Sequence, residues 1–212
     1  MTDRFSQSGI ENIIIHEDKN EVTVTAGGVD YLITLADFAS LNIQSGYADI
    51  SLLAFAAEKL SCIKKAESYL SYGDLSRKQL CNKLKRHFNE DVILAVVKLL
   101  SDKGYIDDER LAVRYADNLA QKRRYGRTRI KAILYEKGFS SDDISTALES
   151  LDDDMLRDNL EYLLKTQGRK YNLTDRKQKA KLNNFLYRLG YSWDEIRTAI
   201  AEFSSDDGEW TE

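Results

Sequence analysis

One pattern in this chain recurs at a fixed offset, and it limits the possible folds more than any other feature. Ile130, Leu134, Gly138, Phe139, Ser140, Asp142, Ile144, Ala147 and Leu148 return 52 positions later as Leu182, Leu186, Gly190, Tyr191, Ser192, Asp194, Ile196, Ala199 and Ile200. The chemical class is kept at every position. A looser copy lies upstream at Leu80, Leu84, Phe88, Asn89, Asp91, Ile93, Val96 and Val97, one residue shorter and without the glycine. Such self-similarity means one supersecondary unit used in tandem, each copy closing its apolar face with help from its neighbour.

Within each copy the apolar spacing is that of α-helices. The first unit reads as helices over about 51–72, 76–87 and 90–103, the second over 108–123, 126–137 and 141–151, and the third over 152–167, 175–189 and 193–203. Gly104, Gly138 and Gly190 fall where a helix ends in the left-handed conformation. Phe139 and Tyr191 follow as the apolar residues that fold back on the helix they terminate. Ser140 with Asp143, and Ser192 with Glu195, have capping-box spacing and again lie 52 apart. Lys137 and Arg188 occupy last turns, where cations suit the helix dipole. The segment Thr166–Thr174 predicts a longer loop in the third unit, or an extension of its first helix.

The first fifty residues are different. Ile13–Ile15, Val22 and Val24, then Tyr31, Ile33 and Leu35 around the turn signal Gly27-Gly28, read as three short strands of an antiparallel meander. Three such strands are marginal alone, and the stretch 36–46 is the candidate helical cover. The expected architecture is therefore mainly α. An N-terminal β-meander with a short helix (1–50) precedes three three-helix modules at 51–104, 105–151 and 152–204, in an elongated, curved array. An acidic, aperiodic tail follows at 205–212 and is expected to be disordered.

Composition removes several function classes. No segment is long and apolar enough to span a bilayer, and no N-terminal basic-then-apolar stretch suggests secretion. Cys62 and Cys81 lack metal-ligand spacing and read as reduced thiols of a cytoplasmic protein. The chain has no proline, so helices run uninterrupted. It carries no phosphate-binding glycine loop ending in Gly-Lys-Ser/Thr. His16 and His87 have no evident metal partner, and Asp107-Asp108-Glu109 reads as a helix cap rather than a cation site. No catalytic constellation and no cofactor is expected.

The net charge of −4 conceals segregation. Arg77, Lys78, Lys83, Lys85 and Arg86 occur together without an acid. Lys122, Arg123, Arg124, Arg127, Arg129, Lys131 and Lys137 stand against Glu136 alone. Arg169, Lys170, Arg176, Lys177, Lys179, Lys181 and Arg188 stand against Asp175 alone. Acids gather instead in the third helices and after Leu151. Basic blocks thus recur with the repeat, on its second helices.

Gly104-Tyr-Ile-Asp-Asp-Glu-Arg-Leu-Ala112, the basic run Lys122–Arg129 around Gly126, Glu136-Lys-Gly-Phe139, Asp175-Arg-Lys-Gln-Lys-Ala180 and Leu189-Gly-Tyr191 resemble the RecX family of bacterial recombination regulators. So does the tyrosine-containing segment with Ser76 and Leu80. The resemblance covers most of the chain, and the strands at 11–35 are similar to the N-terminal extension of longer members. It implies a non-enzymatic protein that lies along the RecA recombinase filament on single-stranded DNA. Such a protein restrains strand exchange, ATPase and coprotease activities, and binds DNA itself only weakly.

The residues expected to meet the filament are Arg77, Lys78, Lys83, Lys85, Arg86, Lys122, Arg123, Arg124, Tyr125, Arg127, Arg129, Lys131, Arg169, Lys170, Arg176, Lys177, Lys179 and Lys181. Ile130, Ile133 and Leu134 should bury one face of the middle second helix, which turns Arg124, Arg127 and Lys131 outward. Tyr125 either stacks on a base or, the favoured reading, anchors its loop. Gly126 is expected to permit a tight turn into the helix. Tyr69, Tyr115, Tyr135, Tyr162 and Tyr187 are expected in the core or between modules. Other readings of the basic faces are an autonomous, helix-turn-helix-like regulator of duplex DNA and a helical scaffold for a protein partner alone. A monomer is expected, since no long apolar heptad is left over.

Overall fold

The computed structural model describes residues 7–41, 43 and 46–206. The chain divides into two compact units, Met1–Ile106 and Asp107–Glu212.

The first unit opens with an antiparallel sheet of β1 (Gln7–His16), β2 (Glu21–Ala26), β3 (Val29–Thr34) and β4 (Tyr47–Asp49), in the order β3-β2-β1-β4. Gly27 and Gly28 have φ of +60° and +72° and close the β2–β3 hairpin between the paired residues Ala26 and Val29. Two positive φ values match the right-handed twist of the strands they join. The meander is therefore present, with a fourth strand that the sequence reading did not include. β4 is three residues long and pairs with Gln7–Gly9, a contact that local patterning cannot announce. The run Ile13–Ile15 is exposed, and the sheet's buried apolar residues are Val22, Val24, Ala26 and Ile33 of β2 and β3, with Ala48 of β4.

The cover also differs from expectation. α1 is confined to Leu35–Ser40, capped by the Thr34 side chain, and buries no residue. Its place is taken by the first half of α2 (Ile50–Leu70), whose Leu53 and Ala56 join the sheet core. The second half of α2 turns Cys62 and Ala66 to Leu80 and Leu84 of α3 (Arg77–Leu84) and to Val92, Ile93, Val96, Val97 and Leu100 of α4 (Glu90–Asp102). One long helix thus closes two cores, so the small sheet need not stand alone. Neither thiol is in a disulfide. Burial chiefly, with Glu58 and Cys81 nearby, pushes the Cys62 thiol up to about 11. It is a packing residue rather than a nucleophile.

The second unit contains two three-helix bundles. α5 (Asp108–Arg123), α6 (Arg127–Lys137) and α7 (Ser141–Glu149) enclose Leu111, Ala112, Ala116, Ala120, Ile130, Leu134, Phe139, Ile144 and Ala147. α8 (Asp153–Gln167), α9 (Arg176–Arg188) and α10 (Trp193–Asp206) enclose Leu160, Leu164, Leu182, Leu186, Tyr191, Ile196 and Ile200. The recurring positions of the sequence are these interior positions. Helix ends follow the local code as well. The Phe139 N–H donates to Leu134 O at 3.3 Å and the Tyr191 N–H to Leu186 O at 3.4 Å, with Gly138 and Gly190 at φ +86° and +97°. Ser140 and Asp143 form the expected reciprocal cap, as do Ser192 and Glu195. Ser76 and Gln79 form another at the start of α3. Asp107 Oδ1 accepts the Arg110 N–H at 2.9 Å, which is the structural role read for that acidic cluster.

The longer segment of the third bundle holds a 3-10 turn at Gly168–Lys170, then a turn in which the Asn172 side chain accepts the Thr174 N–H at 3.0 Å. α10 continues to Asp206, beyond the expected end at 203. Residues 207–212, most of the tail expected to be disordered, lie outside the described residues.

Candidate nucleic-acid interface

The three second helices, α3, α6 and α9, share an arrangement that helix electrostatics disfavours. None has an acid in its first turn. Each instead begins with cations: Arg77 and Lys78, Arg127 and Arg129, Arg176 and Lys177. The N-terminal end of a helix is its positive end, so each cation there forgoes about 0.3–1 kcal/mol that an acid would contribute. The third helices follow the opposite rule, with Glu90 and Asp91, Asp142 and Asp143, and Asp194 and Glu195 in their first turns. The cost is not equal on the three: Asp175 caps α9 and accepts the Lys177 N–H at 2.8 Å, and Arg127 pairs with Asp153, so the first-turn cations that stability explains least are Lys78, Arg129 and Arg176.

In the second unit, α6 and α9 meet end to end. The Gly126 N–H donates to Leu189 O at 2.8 Å and the Thr128 N–H to Gly190 O at 3.1 Å. The orphan donors that start one helix are thus satisfied by the orphan acceptors that end the other. Tyr191, 1% exposed, lies under this joint, and its hydroxyl donates to Arg124 O at 3.0 Å. Burial pushes its phenol pKa up. Gly126 has an ordinary φ of −80°, so the turn itself does not require glycine. A Cβ there would lie closer than 3.0 Å to the Gly190 carbonyl, and a Cβ at Gly190 closer than 3.0 Å to Arg129 N and Gly126 O. Contact between the bundles, not turn geometry, is the reason for Gly126. The joint sets the last turn of one basic helix against the first turn of the other.

Two of the three side chains expected to point outward from α6 and its approach are held within the protein. Arg127 Nη2 donates to Leu151 O at 3.0 Å and pairs with Asp153 at 2.8 Å. It fastens the start of α6 to the α7–α8 connection. Arg124, at φ +52°, lays its guanidinium 4.0 Å from the centre of the Tyr162 ring. Both remain cationic, but each already has a tertiary task. Lys131 is exposed as expected. Arg127→Ala is expected to lower the unfolding free energy by about 1–2 kcal/mol, the range for a hydrogen bond to a charged group at a half-exposed site. Lys131→Ala should leave it within about 0.5 kcal/mol. Urea titration of the two variants checks the contrast.

Among the other candidates, Lys78, Arg86, Lys122, Arg123, Arg169, Arg176, Lys177, Lys179 and Lys181 are exposed. Lys83 sits 5.1 Å from the Tyr69 ring centre, Lys85 is 3.6 Å from Glu90, Lys170 bonds Gln167 at 2.8 Å, and Arg129 lies 6.0 Å from the Tyr125 ring centre. Arg77 is exposed and also engaged within the protein. Tyr125 is half-buried against the core of the α5–α7 bundle, as the anchoring reading expected. Tyr69 and Tyr115 pack against cores as expected. Tyr135 and Tyr187 do not, being exposed by 74% and 49%, whereas Tyr162, 49% exposed, carries Arg124 of the preceding bundle on its ring, a contact between modules as expected. Helical spacing places a residue on a stripe, but how far the neighbouring helix reaches decides whether that stripe is covered.

The sequence reading also missed Trp193. Its indole stacks on Tyr187 with ring centres 5.0 Å apart and planes 18° apart, and it is half-exposed. The pair joins α9 to the start of α10, and only its short sequence separation could have suggested it. Among the described residues no cluster of His, Cys, Asp and Glu could hold a metal ion, and no helix is long and apolar enough to cross a membrane.

Comparison with known proteins agrees with this architecture. Residues 107–148 match the family model described as the second three-helix domain of RecX, and residues 154–200 match the one described as its third three-helix domain. A regulatory protein RecX of Xanthomonas citri is 33% identical over 138 residues, spanning 65% of this chain and 84% of that protein. One of Clostridioides difficile (strain 630) is 31% identical over 137 residues, spanning 64% of this chain and 65% of the relative's length. One of Bacillus cereus (strain B4264) is 27% identical over 198 residues, spanning 92% of this chain and 73% of the relative. A crystal structure of regulatory protein RecX superposes with a TM-score of 0.76 over 92% of this chain and 99% of that one. At 20% identity that is a likeness of fold. The structure of RecX from Lactobacillus salivarius gives a TM-score of 0.66 at 27% identity, over 70% of this chain and 98% of that one.

Proposed function

The chain belongs to the RecX family, and on that premise we propose that it is a non-enzymatic, cytoplasmic regulator of the RecA recombinase. It binds the RecA filament on single-stranded DNA along the filament groove and restrains strand exchange, ATPase and coprotease activities. The observation that carries this reading is the recurrence of cations in the first turns of α3, α6 and α9, where the helix dipole disfavours them. An anionic polymer presented by the partner recovers that cost, because each phosphate neutralised releases condensed counterions. The joint between α9 and α6 supports the same reading, since it makes neighbours of two cationic helices. The acid-led third helices give the molecule a second sign of charge, suited to basic patches on recombinase subunits flanking the DNA.

No catalytic step enters this mechanism. The protein acts by occupancy, and the free energy of binding to the assembled filament is what shifts it away from its active form. The test is a strand-exchange reaction with RecA, with filament ATPase followed in parallel. Addition of the protein is expected to suppress both at concentrations below that of RecA, because a ligand that lies along the groove occupies more than one recombinase subunit. Unchanged rates at equimolar protein would refute the proposal. Sequence-specific binding to duplex DNA with no recombinase present would favour an autonomous DNA-binding regulator instead.

A further inference from the structure

Two grooves of the second unit are copies of one another. Between α6 and α7, Thr128, Lys131, Ala132, Tyr135, Ile144 and Leu148 line a groove of about 500 Å³. Between α9 and α10, Lys179, Asn183, Trp193, Ile196, Arg197 and Ile200 line one of about 570 Å³. The repeat offset of 52 carries Lys131 to Asn183, Tyr135 to Tyr187, Ile144 to Ile196 and Leu148 to Ile200. Each groove has an aliphatic floor, an exposed aromatic ring at its edge and at least one lysine on its rim. Neither has an acid among its lining residues. The neighbouring cavity between α8 and α10 is of mixed charge, bordered by Asp153, Asp194, Glu195 and Glu202 together with Arg127 and Arg157. Third helices are rich in acid, so the acid-free lining marks these grooves out.

The rings differ between the copies in an informative way. Tyr135 is 74% exposed and has Ser141 across the groove. Its counterpart Tyr187 is 49% exposed because Trp193, at the position equivalent to Ser141, stacks upon it. A preformed stack of two aromatic rings, left half-exposed at the edge of a cationic groove, offers a flat π surface beside positive charge. Core packing does not explain it, since Trp193 is outside the buried cluster of its bundle. Aromatic faces bind nucleobases irrespective of sequence, and the adjoining cations bind the phosphates that link them. An apolar or acidic peptide would satisfy only one of these two features.

We propose that the Tyr187–Trp193 stack and the groove beside it form a base-stacking site for single-stranded nucleic acid, with Lys179 taking a phosphate. The groove of Tyr135 and Lys131 is a second, weaker copy. The site rests on the reading that the basic helices meet nucleic acid, and it adds base contact to what would otherwise be contact with phosphate alone.

The chain has two tryptophans, so Trp210→Phe in the full-length protein leaves Trp193 as the sole indole reporter. Short oligothymidylate is titrated while Trp193 emission and the anisotropy of a labelled oligomer are followed together, beside an abasic oligomer of equal length. The expected result is quenching of Trp193 by oligothymidylate, with little or none by the abasic oligomer. Trp193→Ala should weaken oligothymidylate binding about tenfold, the range of a lost base–aromatic stack. Trp193→Phe, which keeps a ring and the fold, should retain most of the affinity. Binding by anisotropy with unchanged emission overturns the proposal, as does equal affinity for the abasic oligomer. Quenching by RecA alone, without nucleic acid, overturns it in favour of a protein-docking groove. Co-sedimentation with RecA filaments, run alongside, separates the two readings. Retained co-sedimentation without quenching removes the stacking site only. Quenching without co-sedimentation supports the site and removes the filament reading.

Discussion

Gly190→Ala is expected to lower the melting temperature of the Asp107–Glu212 unit by about 10 °C or more, the largest loss of stability from adding one methyl group in this protein. Two costs coincide at that position. Gly190 has φ +97°, a conformation that costs an L side chain about 1–3 kcal/mol. Its added Cβ would also press on the backbone at Arg129 N and Gly126 O, and overpacking without room to relax costs about 1–3 kcal/mol more. The sum is about 2–6 kcal/mol, and each kcal/mol moves the midpoint of a domain this size by about 4–8 °C. Gly126→Ala isolates the second cost. Its φ is −80°, so it carries no conformational penalty, yet its Cβ would meet the Gly190 carbonyl. It should destabilise by roughly half as much. Thermal melts of both variants followed by circular dichroism check the order. Near-wild-type melting of both would show that the joint between α6 and α9 can open without loss.

Reversing Lys131, Lys177, Lys179 and Lys181 to Glu together is expected to weaken filament binding about a hundredfold or more at low salt, with little change in stability. All four side chains are exposed, and surface substitutions of this kind usually lie within about 0.5 kcal/mol of neutral for folding. Each phosphate left without its lysine keeps its condensed counterions, and each new carboxylate adds repulsion. Arg124 and Arg127, the obvious targets from sequence, are poor ones. Arg127 holds Asp153 and Leu151 O, and Arg124 covers Tyr162, so their reversal would mix folding with binding. Filament affinity and urea denaturation measured on the same quadruple variant separate the two. A drop in binding matched by a drop in stability would count against a direct role for these lysines.

The contrast between these two sets of residues shows which signals a sequence carries. Helix ends were legible because their causes are local. Gly138 with Phe139, Ser140 with Asp143 and their counterparts 52 residues on each settle a helix terminus within a few positions. The interior positions were legible through their period, since Ile130, Leu134 and Ile144 recur at the spacing of a buried face. What was hidden depends on partners distant in sequence. β4 exists because Tyr47–Asp49 meets Gln7–Gly9. α2 covers the sheet because the chain returns there, while α1, the nearer candidate, stops after six residues. Gly126 looked like a turn residue and is a contact residue, a distinction made only by Gly190. Tyr135 had the spacing of a stripe without a neighbour to cover it, and Tyr187 is covered only in part, by Trp193. The basic blocks were plain in the sequence, but which of their members were already engaged was a tertiary fact.

The most direct measurement is co-sedimentation of the protein with RecA filaments on single-stranded DNA across a salt series, for the wild type and the quadruple lysine variant. If the exposed cations of the second helices neutralise phosphates, log K falls linearly with log salt, by about 0.7 for each phosphate engaged. The variant's slope should then be shallower by about 3, because four phosphates are no longer neutralised. Equal slopes for the two proteins, or wild-type binding that salt leaves unchanged, would contradict a filament contact made through these helices.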